Sequence, residues 1–228
     1  MNIIITGASR GIGFETAKIL SKNHRVLALS RDMHSLKKLR IKNSSIDICE
    51  FDISDKNNFT GLYALIKKRF SSVDILINNA GFLVKKPFEN ISEEDIRVTF
   101  ETNLYGVIRL TQALLPVLKK SPQPHVVNIG SMGGFQGSEK FPGLSIYSAS
   151  KAALACLSEC MAVELKEEKI AVNCLALGSA QTEMLSQAFP GYSAPLTAKQ
   201  MAEFIADFST TGHKYFNGKI LPVSLATP

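Results

Sequence analysis

The chain has 228 residues, 45% of them hydrophobic and 20% charged, enough for one domain (1–228) with a sizeable core. No apolar run approaches the roughly 18 to 20 residues of a bilayer span. The opening Asn2-Ile3-Ile4-Ile5-Thr6 lacks the basic leader of a signal peptide, so a cytoplasmic protein with no membrane partner is expected.

Asn2 to Thr6 reads as a first strand, and Thr6-Gly7-Ala8-Ser9-Arg10-Gly11-Ile12-Gly13 follows it directly. A helical pattern then runs from Ile12 to Lys22 with Phe14, Ala17 and Leu20 on one face. Glycines at 7, 11 and 13 allow a tight turn and close approach of a pyrophosphate to backbone, and the helix N-terminus offers unpaired N–H groups. A glycine turn also serves packing alone, so its place at the first strand–helix junction matters more than its composition. The second strand, Arg25 to Ser30, ends in Ser30-Arg31 with Asp32 one step beyond. An acid at this strand end suits the ribose hydroxyls of NAD, whereas a basic residue suits the 2′-phosphate of NADP. Arg31, with Arg10 in the glycine turn, therefore predicts NADP(H).

Further strands are expected at Ile46 to Phe51, Val73 to Asn78, His125 to Ser131, Ile170 to Ala176 and Lys219 to Ser224. Helical patterns lie at Asp55 to Phe70, Glu93 to Lys119, Tyr147 to Lys166 and from Thr197. Pro116 should kink or end the long 93–119 pattern. The cysteines at 49, 156, 160 and 174 show no CxxC or ligand spacing and read as reduced core thiols, and the histidines share no metal-ligand spacing. Strand and helix alternating about six times imply an α/β fold: a Rossmann-type, doubly wound parallel sheet of about seven strands with helices on both faces.

Tyr147-Ser148-Ala149-Ser150-Lys151 places a phenol and an ammonium one helical turn apart. An ammonium about 4 Å from the phenol, at an effective dielectric of ~20, would favour the phenolate by roughly 4 kcal/mol, on the order of three pKa units. That would bring tyrosine into the range useful for acid–base work. The hydroxyl of Ser131, at the end of the preceding strand, could donate to the same oxygen. Hydride addition to a carbonyl develops negative charge on oxygen, which such a pair of donors would meet.

With TGASRGIG at 6–13, Asp52 after the third strand, Asn78-Asn79-Ala80-Gly81 after the fourth, Asn103, Ser131, Tyr147 and Lys151, the sequence resembles the short-chain dehydrogenase/reductase family over nearly its whole length. The resemblance implies Tyr147 as general acid, Ser131 orienting the carbonyl, and Lys151 lowering the tyrosine's pKa and binding the nicotinamide ribose. It implies Asn103 holding a water for proton resupply. It places Gly7, Ser9, Arg10, Gly11, Ile12, Gly13, Ser30, Arg31, Asp52, Ile53, Asn79, Ala80, Gly81, Gly178 and Thr182 at the cofactor, with Tyr147 and Lys151. The expected function is an NADPH-dependent oxidoreductase interconverting a carbonyl and an alcohol, acting as a homodimer or homotetramer.

Several features depart from that family. Sixteen residues separate Ser131 from Tyr147, about three more than in many relatives, and Ser138 and Ser145 are alternative hydroxyls. Leu177-Gly178 replaces Pro-Gly after the sixth strand, and only about a dozen residues separate Met184 from the Thr197 helix. An open pocket is expected, lined by Phe82, Leu83, Met132, Phe135, Met184, Phe189 and Tyr192. The terminal Val223 to Pro228 lacks Asp-Gly-Gly, which favours a dimer through the Ala152 to Ala162 region over a tetramer.

A catalytically weak or inactive nucleotide-binding regulatory protein on the same fold is the alternative. A nucleic-acid partner, suggested by the net charge of +6, is not expected, because no aromatic-interleaved basic patch accompanies it. The excess sits at the start: nine basic residues in positions 1–46 face only Glu15 and Asp32. It fits steering of an anionic cofactor.

Overall fold

The computed structural model describes residues 1–41 and 43–225; Lys42, one of the basic residues counted above, and the end of the tail, Ala226 to Pro228, lie outside them. The strands β1 (Asn2–Thr6), β2 (Arg25–Ser30), β3 (Ile46–Glu50), β4 (Ile75–Asn78), β5 (His125–Ile129) and β6 (Ala171–Leu177) are joined in one sheet with the last strand, Ile220–Val223. The order is third, second, first, fourth, fifth, sixth and last, with every pair parallel. Ile3 and Ile5 face one core layer and Ile4 the other, all within 1% of full burial. A strand covered on both sides needs such an unbroken apolar run. Pro222 lies in the last strand at the sheet edge, where a missing donor leaves no ladder bond unmade.

Helices α1 (Gly11–Leu20) and α2 (Met33–Ile41) cover one face with the helix at Ala198–Thr211, and α3 (Phe59–Arg69) lies on the other. The sequence pattern missed α2, because only Leu36 and Leu39 of its nine residues are buried. The expected 93–119 helix divides into α4 (Glu93–Phe100), a π-helical turn at Glu101–Tyr105, and α5 (Gly106–Leu118). A β-carbon at Gly106 would stand 2.4 Å from the Ile53 carbonyl oxygen, so glycine is required where α5 begins. As expected of a proline that ends a helix, Pro116 is followed by only two more residues of α5, which stops at Leu118. It sits in the last turn, where removing one bond, to the Gln112 carbonyl, disturbs little.

On α6 (Ser145–Glu164), Cys156 and Cys160 are exposed, so among the cysteines only Cys174 is a buried core thiol; all four are free. The segment after β6, expected as a short open lid, is organised. Thr182 caps a helix, α7 (Glu183–Ala188), by accepting from the Leu185 N–H at 3.2 Å. Strands β7 (Ala180–Gln181) and β8 (Leu196–Thr197) pair in parallel and close the base of the loop, before α8 (Ala198–Thr211) and β9, the edge strand Ile220–Val223.

At the far end of the sheet, His125 is fully buried. Its Nδ1 lies 2.9 Å from the Ser209 carbonyl and its Nε2 3.0 Å from the Asn173 amide, the pattern of a neutral ring with the proton on Nδ1. Burial lowers its pKa from 6.5 to about 4, aided by nearby His213 and opposed by the Ser209 carbonyl. The unfolded chain therefore takes up a proton before the folded one as pH falls through this window. Stability should drop by up to about 3 kcal/mol between pH 6.5 and 4 from this group, and no further below it. Urea midpoints of the wild type and His125→Gln at pH 7 and 4.5 test this. An equal acid loss in both would remove the assignment.

Candidate active site

The carboxyl ends of the strands open onto one cavity of about 480 Å³, at the point where β1 and β4 diverge to opposite halves of the sheet. Thr6 closes β1, and its hydroxyl accepts from the Asn79 and Ala80 N–H groups at 3.0 and 2.9 Å. The Asn79 amide donates back to the Thr6 and Gly7 carbonyls at 3.0 and 3.1 Å. A β-carbon at Gly13 would meet that amide nitrogen at 2.3 Å and the Gly7 oxygen at 2.5 Å, while Gly7 itself has φ +67°. The turn thus has room only for glycine at these points. Arg10 provides no side-chain cap to α1, so the first N–H groups of the helix face the cavity without a side-chain acceptor.

The β2 end carries Ser30, whose Oγ accepts from the Asp32 N–H at 3.3 Å. The Asp32 carboxylate turns away to Ser35, accepting from its hydroxyl at 2.6 Å and its N–H at 3.0 Å, and these bonds hold its pKa low. Arg31, with a side chain 72% exposed, leans toward Asp52 at 3.8 Å, and Arg10 pairs with Glu183 at 2.9 Å. The two guanidinium groups line the same cavity but rest on different carboxylates. Exposed pairs of this kind are worth at most about 1 kcal/mol, so either arginine is available to a stronger anion.

Ser131 follows β5 and accepts from the Gly133 N–H at 3.1 Å, which fixes the short turn Met132–Gly134. A β-carbon at Gly134 would strike the Ala152 nitrogen at 2.6 Å, so this turn packs directly on α6. Behind the site, Asn78 donates to Asn128 and Asn128 to Ser158, both at 2.8 Å, tying β4, β5 and α6 through the core. Tyr147 and Lys151 line the cavity from α6. Burial raises the Tyr147 phenol above its ordinary value, with a smaller downward pull from the Ser131 hydroxyl. Lys151 is 3% exposed, donates to the Ile129 carbonyl at 2.7 Å, and is lowered by burial to about 8. Its nitrogen lies 6.0 Å from the Tyr147 ring centroid. The expected lowering of the tyrosine by its neighbour is therefore absent from this arrangement: desolvation of the phenol prevails, and the ammonium is engaged with the strand.

Of the expected site residues, Gly7, Ser9, Arg10, Gly11, Ile12, Gly13, Ser30, Arg31, Asp52, Ile53, Asn79, Ala80, Gly81, Ser131, Tyr147, Lys151, Gly178 and Thr182 all border the cavity. Asn103 does not. It is fully buried in the π-helical turn, accepting from the Phe82 N–H at 2.7 Å and donating to the Phe82 carbonyl and Ser150 hydroxyl, both at 2.9 Å. It clamps the irregular segment that follows Gly81 onto α6. The alternative hydroxyls are not at the cavity; Ser138 donates instead to the Met132 and Phe135 carbonyls.

Leu83, Met132, Met184 and Phe189 line the outer end as expected, but Phe82, Phe135 and Tyr192 do not. Tyr192 shares a 3.1 Å hydrogen bond with Ser179 and packs its ring on Phe189. Phe141 and Leu144, from the longer loop before α6, take their place together with Leu185. The Thr182 cap was a local signal for the helix that delivers Leu185; nothing local marked Phe141.

A family model described as short chain dehydrogenase matches residues 1–193. An uncharacterized oxidoreductase of Bacillus subtilis, YusZ, is 32% identical over 195 residues, covering 83% of this chain and 68% of its own. Retinol dehydrogenase 8 of Homo sapiens is 31% identical over 231 residues, covering 97% and 70%. Among solved structures, the Pseudomonas aeruginosa RhlG/NADP active-site complex is similar with a TM-score of 0.87 at 26% identity, over 98% of this chain and 94% of that one.

Proposed function

The chain belongs to the short chain dehydrogenase family and is an oxidoreductase, and we propose that it interconverts a carbonyl and an alcohol with NADP(H), using Tyr147 as the acid and base. One observation carries this reading: Ser131, Tyr147 and Lys151 border the same cavity as the glycine turn. The turn suits a dinucleotide, since its glycines leave a cradle that β-carbons would fill and the start of α1 is uncapped. The nicotinamide would supply the hydride when bound. Gly11, Ile12 and the α1 N-terminus would hold the pyrophosphate, Asp52 and Ile53 would border the adenine, and Thr182 the nicotinamide end. Ser131 and Tyr147 donate to the substrate oxygen. Tyr147 gives up its proton as negative charge grows there.

The preference for NADP(H) draws support from the β2 end. The acid that could hold ribose hydroxyls, Asp32, also borders the cavity, but its carboxylate is bonded to Ser35, and Ser30 and Arg31 stand beside it. NADPH should bind at least about tenfold more tightly than NADH. Arg10→Ala and Arg31→Ala should each weaken NADPH roughly tenfold or more, the range of one charge-assisted hydrogen bond, with NADH little changed. Fluorescence titration decides this, and equal affinities for the two would overturn it. The reaction itself is tested by a carbonyl and alcohol panel followed through NADPH absorbance.

A homodimer of cytoplasmic location completes the proposal. The outer side of α6 presents Ala152, Cys156, Cys160 and Val163, the last 76% exposed. No helix among the described residues is long and apolar enough to cross a membrane. Sedimentation should give twice the 24.9 kDa chain mass; a monomer at micromolar concentration would discard this surface as a contact.

A further inference from the structure

Beyond Tyr147, the cavity is walled by Leu83, Met132, Phe141, Leu144, Met184 and Phe189, and none of these carries a charge. Five of the six are only partly buried, so apolar surface remains facing the open space. The edge of one ring faces the other at Phe141 and Phe189, whose centroids are 6.0 Å apart at 82°. The charged side chains elsewhere on the cavity have partners within the protein, the two arginines only weakly: Arg10 with Glu183, Arg31 with Asp52, Asp32 with Ser35 and Lys151 with the Ile129 carbonyl.

The wall is also cross-tied. Lys85 donates to the Ala188 carbonyl at the end of α7 at 2.7 Å, and its nitrogen stands 4.0 Å from the Phe189 ring centroid. Its stem runs beside Gly143, where a β-carbon would come within 3.1 Å of it, and the Lys86 N–H donates to the Gly143 carbonyl at 3.1 Å. Lys86 in turn bonds the Asp95 carboxylate at the start of α4 at 2.6 Å. Three chain segments, 82–88, 132–144 and 183–189, are thereby joined at Lys85 and Lys86. A wall fastened in this way stays in place before anything binds, and its apolar area can be used for recognition without ordering a loop.

We infer that the substrate is an uncharged carbonyl or alcohol bearing an extended apolar tail, which lies against Phe141 and Phe189, with Lys85 as the positioning residue that holds Phe189 over the mouth. This rests on the oxidoreductase reading above for the chemistry at the polar end. The apolar end stands on its own geometry. Each methylene that reaches the wall leaves water, which raises affinity and kcat/KM by about fourfold.

The test compares butanal, hexanal and octanal with the matched C8 aldehyde ending in a carboxylate, all with NADPH. The expected result is a kcat/KM that rises about fourfold per methylene, and at least tenfold discrimination against the carboxylate. Phe189→Ala and Lys85→Met should each lower the octanal to butanal ratio, the second without removing an apolar side chain from the wall. In parallel, calorimetry on Tyr147→Phe, with and without NADPH, reads the binding of the corresponding alcohols. Graded binding without turnover would retain the apolar wall and overturn the oxidoreductase reading for these carbonyls. Turnover without a chain-length gradient, a carboxylate that does as well, or no binding at all would overturn the apolar wall.

Discussion

Replacing Tyr147 by phenylalanine should reduce turnover by at least about a hundredfold while leaving NADPH affinity within a few-fold of the wild type. A positioned general acid contributes roughly 10² to 10⁴ in rate, and the cavity offers no ready substitute. The Ser131 hydroxyl can donate a hydrogen bond but is a far weaker proton donor than a phenol. Lys151 is held by the Ile129 carbonyl, with its nitrogen 6.0 Å from the ring centroid. Burial raises the phenol above its ordinary value, so it stays protonated across the neutral range. Carbonyl reduction should then be nearly independent of pH from 6 to 8. Alcohol oxidation, which needs the phenolate, should rise with pH over the same interval. Steady-state rates in both directions measure this. Activity in Tyr147→Phe within tenfold of wild type would remove the tyrosine from the mechanism. Tight cofactor binding with no turnover by the wild type across a broad panel would favour a regulatory protein.

Lys151→Met should lower turnover by removing the side chain expected to bind the nicotinamide ribose, but it should do so in a protein no less stable than the original at neutral pH. Desolvation lowers this lysine from 10.5 to about 8. Below pH 8 it is charged in both folded and unfolded chains, and the fold bears the full penalty, about 3 kcal/mol. Between pH 8 and 10.5 the folded protein releases the proton first, so wild-type stability should climb with pH, then level off. The methionine variant removes the penalty and the climb together, and leaves the Ile129 carbonyl without its donor, which costs about 1 to 3 kcal/mol. The expected net change at pH 7 lies between zero and about 2 kcal/mol of stabilisation. Urea midpoints at pH 7 and 9.5 provide the measurement. A variant clearly less stable, with the wild-type pH slope intact, would mean that the buried ammonium stabilises the fold.

The strands could be read from the sequence because each is a short β-branched or apolar run bounded by polar residues. Their parallel pairing with helices on both faces followed from the alternation with helices, whereas their order in the sheet did not. The Tyr147–Lys151 pair was legible as a spacing, since helical geometry alone puts the two on one face. The direction of the tyrosine's shift was not, because desolvation depends on what the whole fold packs around the phenol. The same holds for Arg10, whose partner Glu183 is 173 positions away, and for Asn103, whose neighbours Phe82 and Ser150 come from different elements. Phe141 escaped notice because a loop residue has no periodicity to betray which way it faces. α7 was missed for a different reason: its six residues are too few to show a helical repeat, and only the Thr182 cap announced it.

The turn at Glu101–Tyr105 has a consequence for how α4 and α5 relate. A π-turn holds one residue more than the α-helical path across the same rise, and one residue corresponds to about 100° of rotation. Every side chain of α5 is therefore rotated relative to the face that an unbroken helix continuing α4 would present. Thr99 and Asn103 are both buried, and Gly106 meets the Ile53 carbonyl where α5 begins. A single amino acid of chain length has been turned into an angle. Deleting one residue anywhere in 101–105 would force the helix to give up either its anchorage under α6 or its seat against β3's outgoing loop.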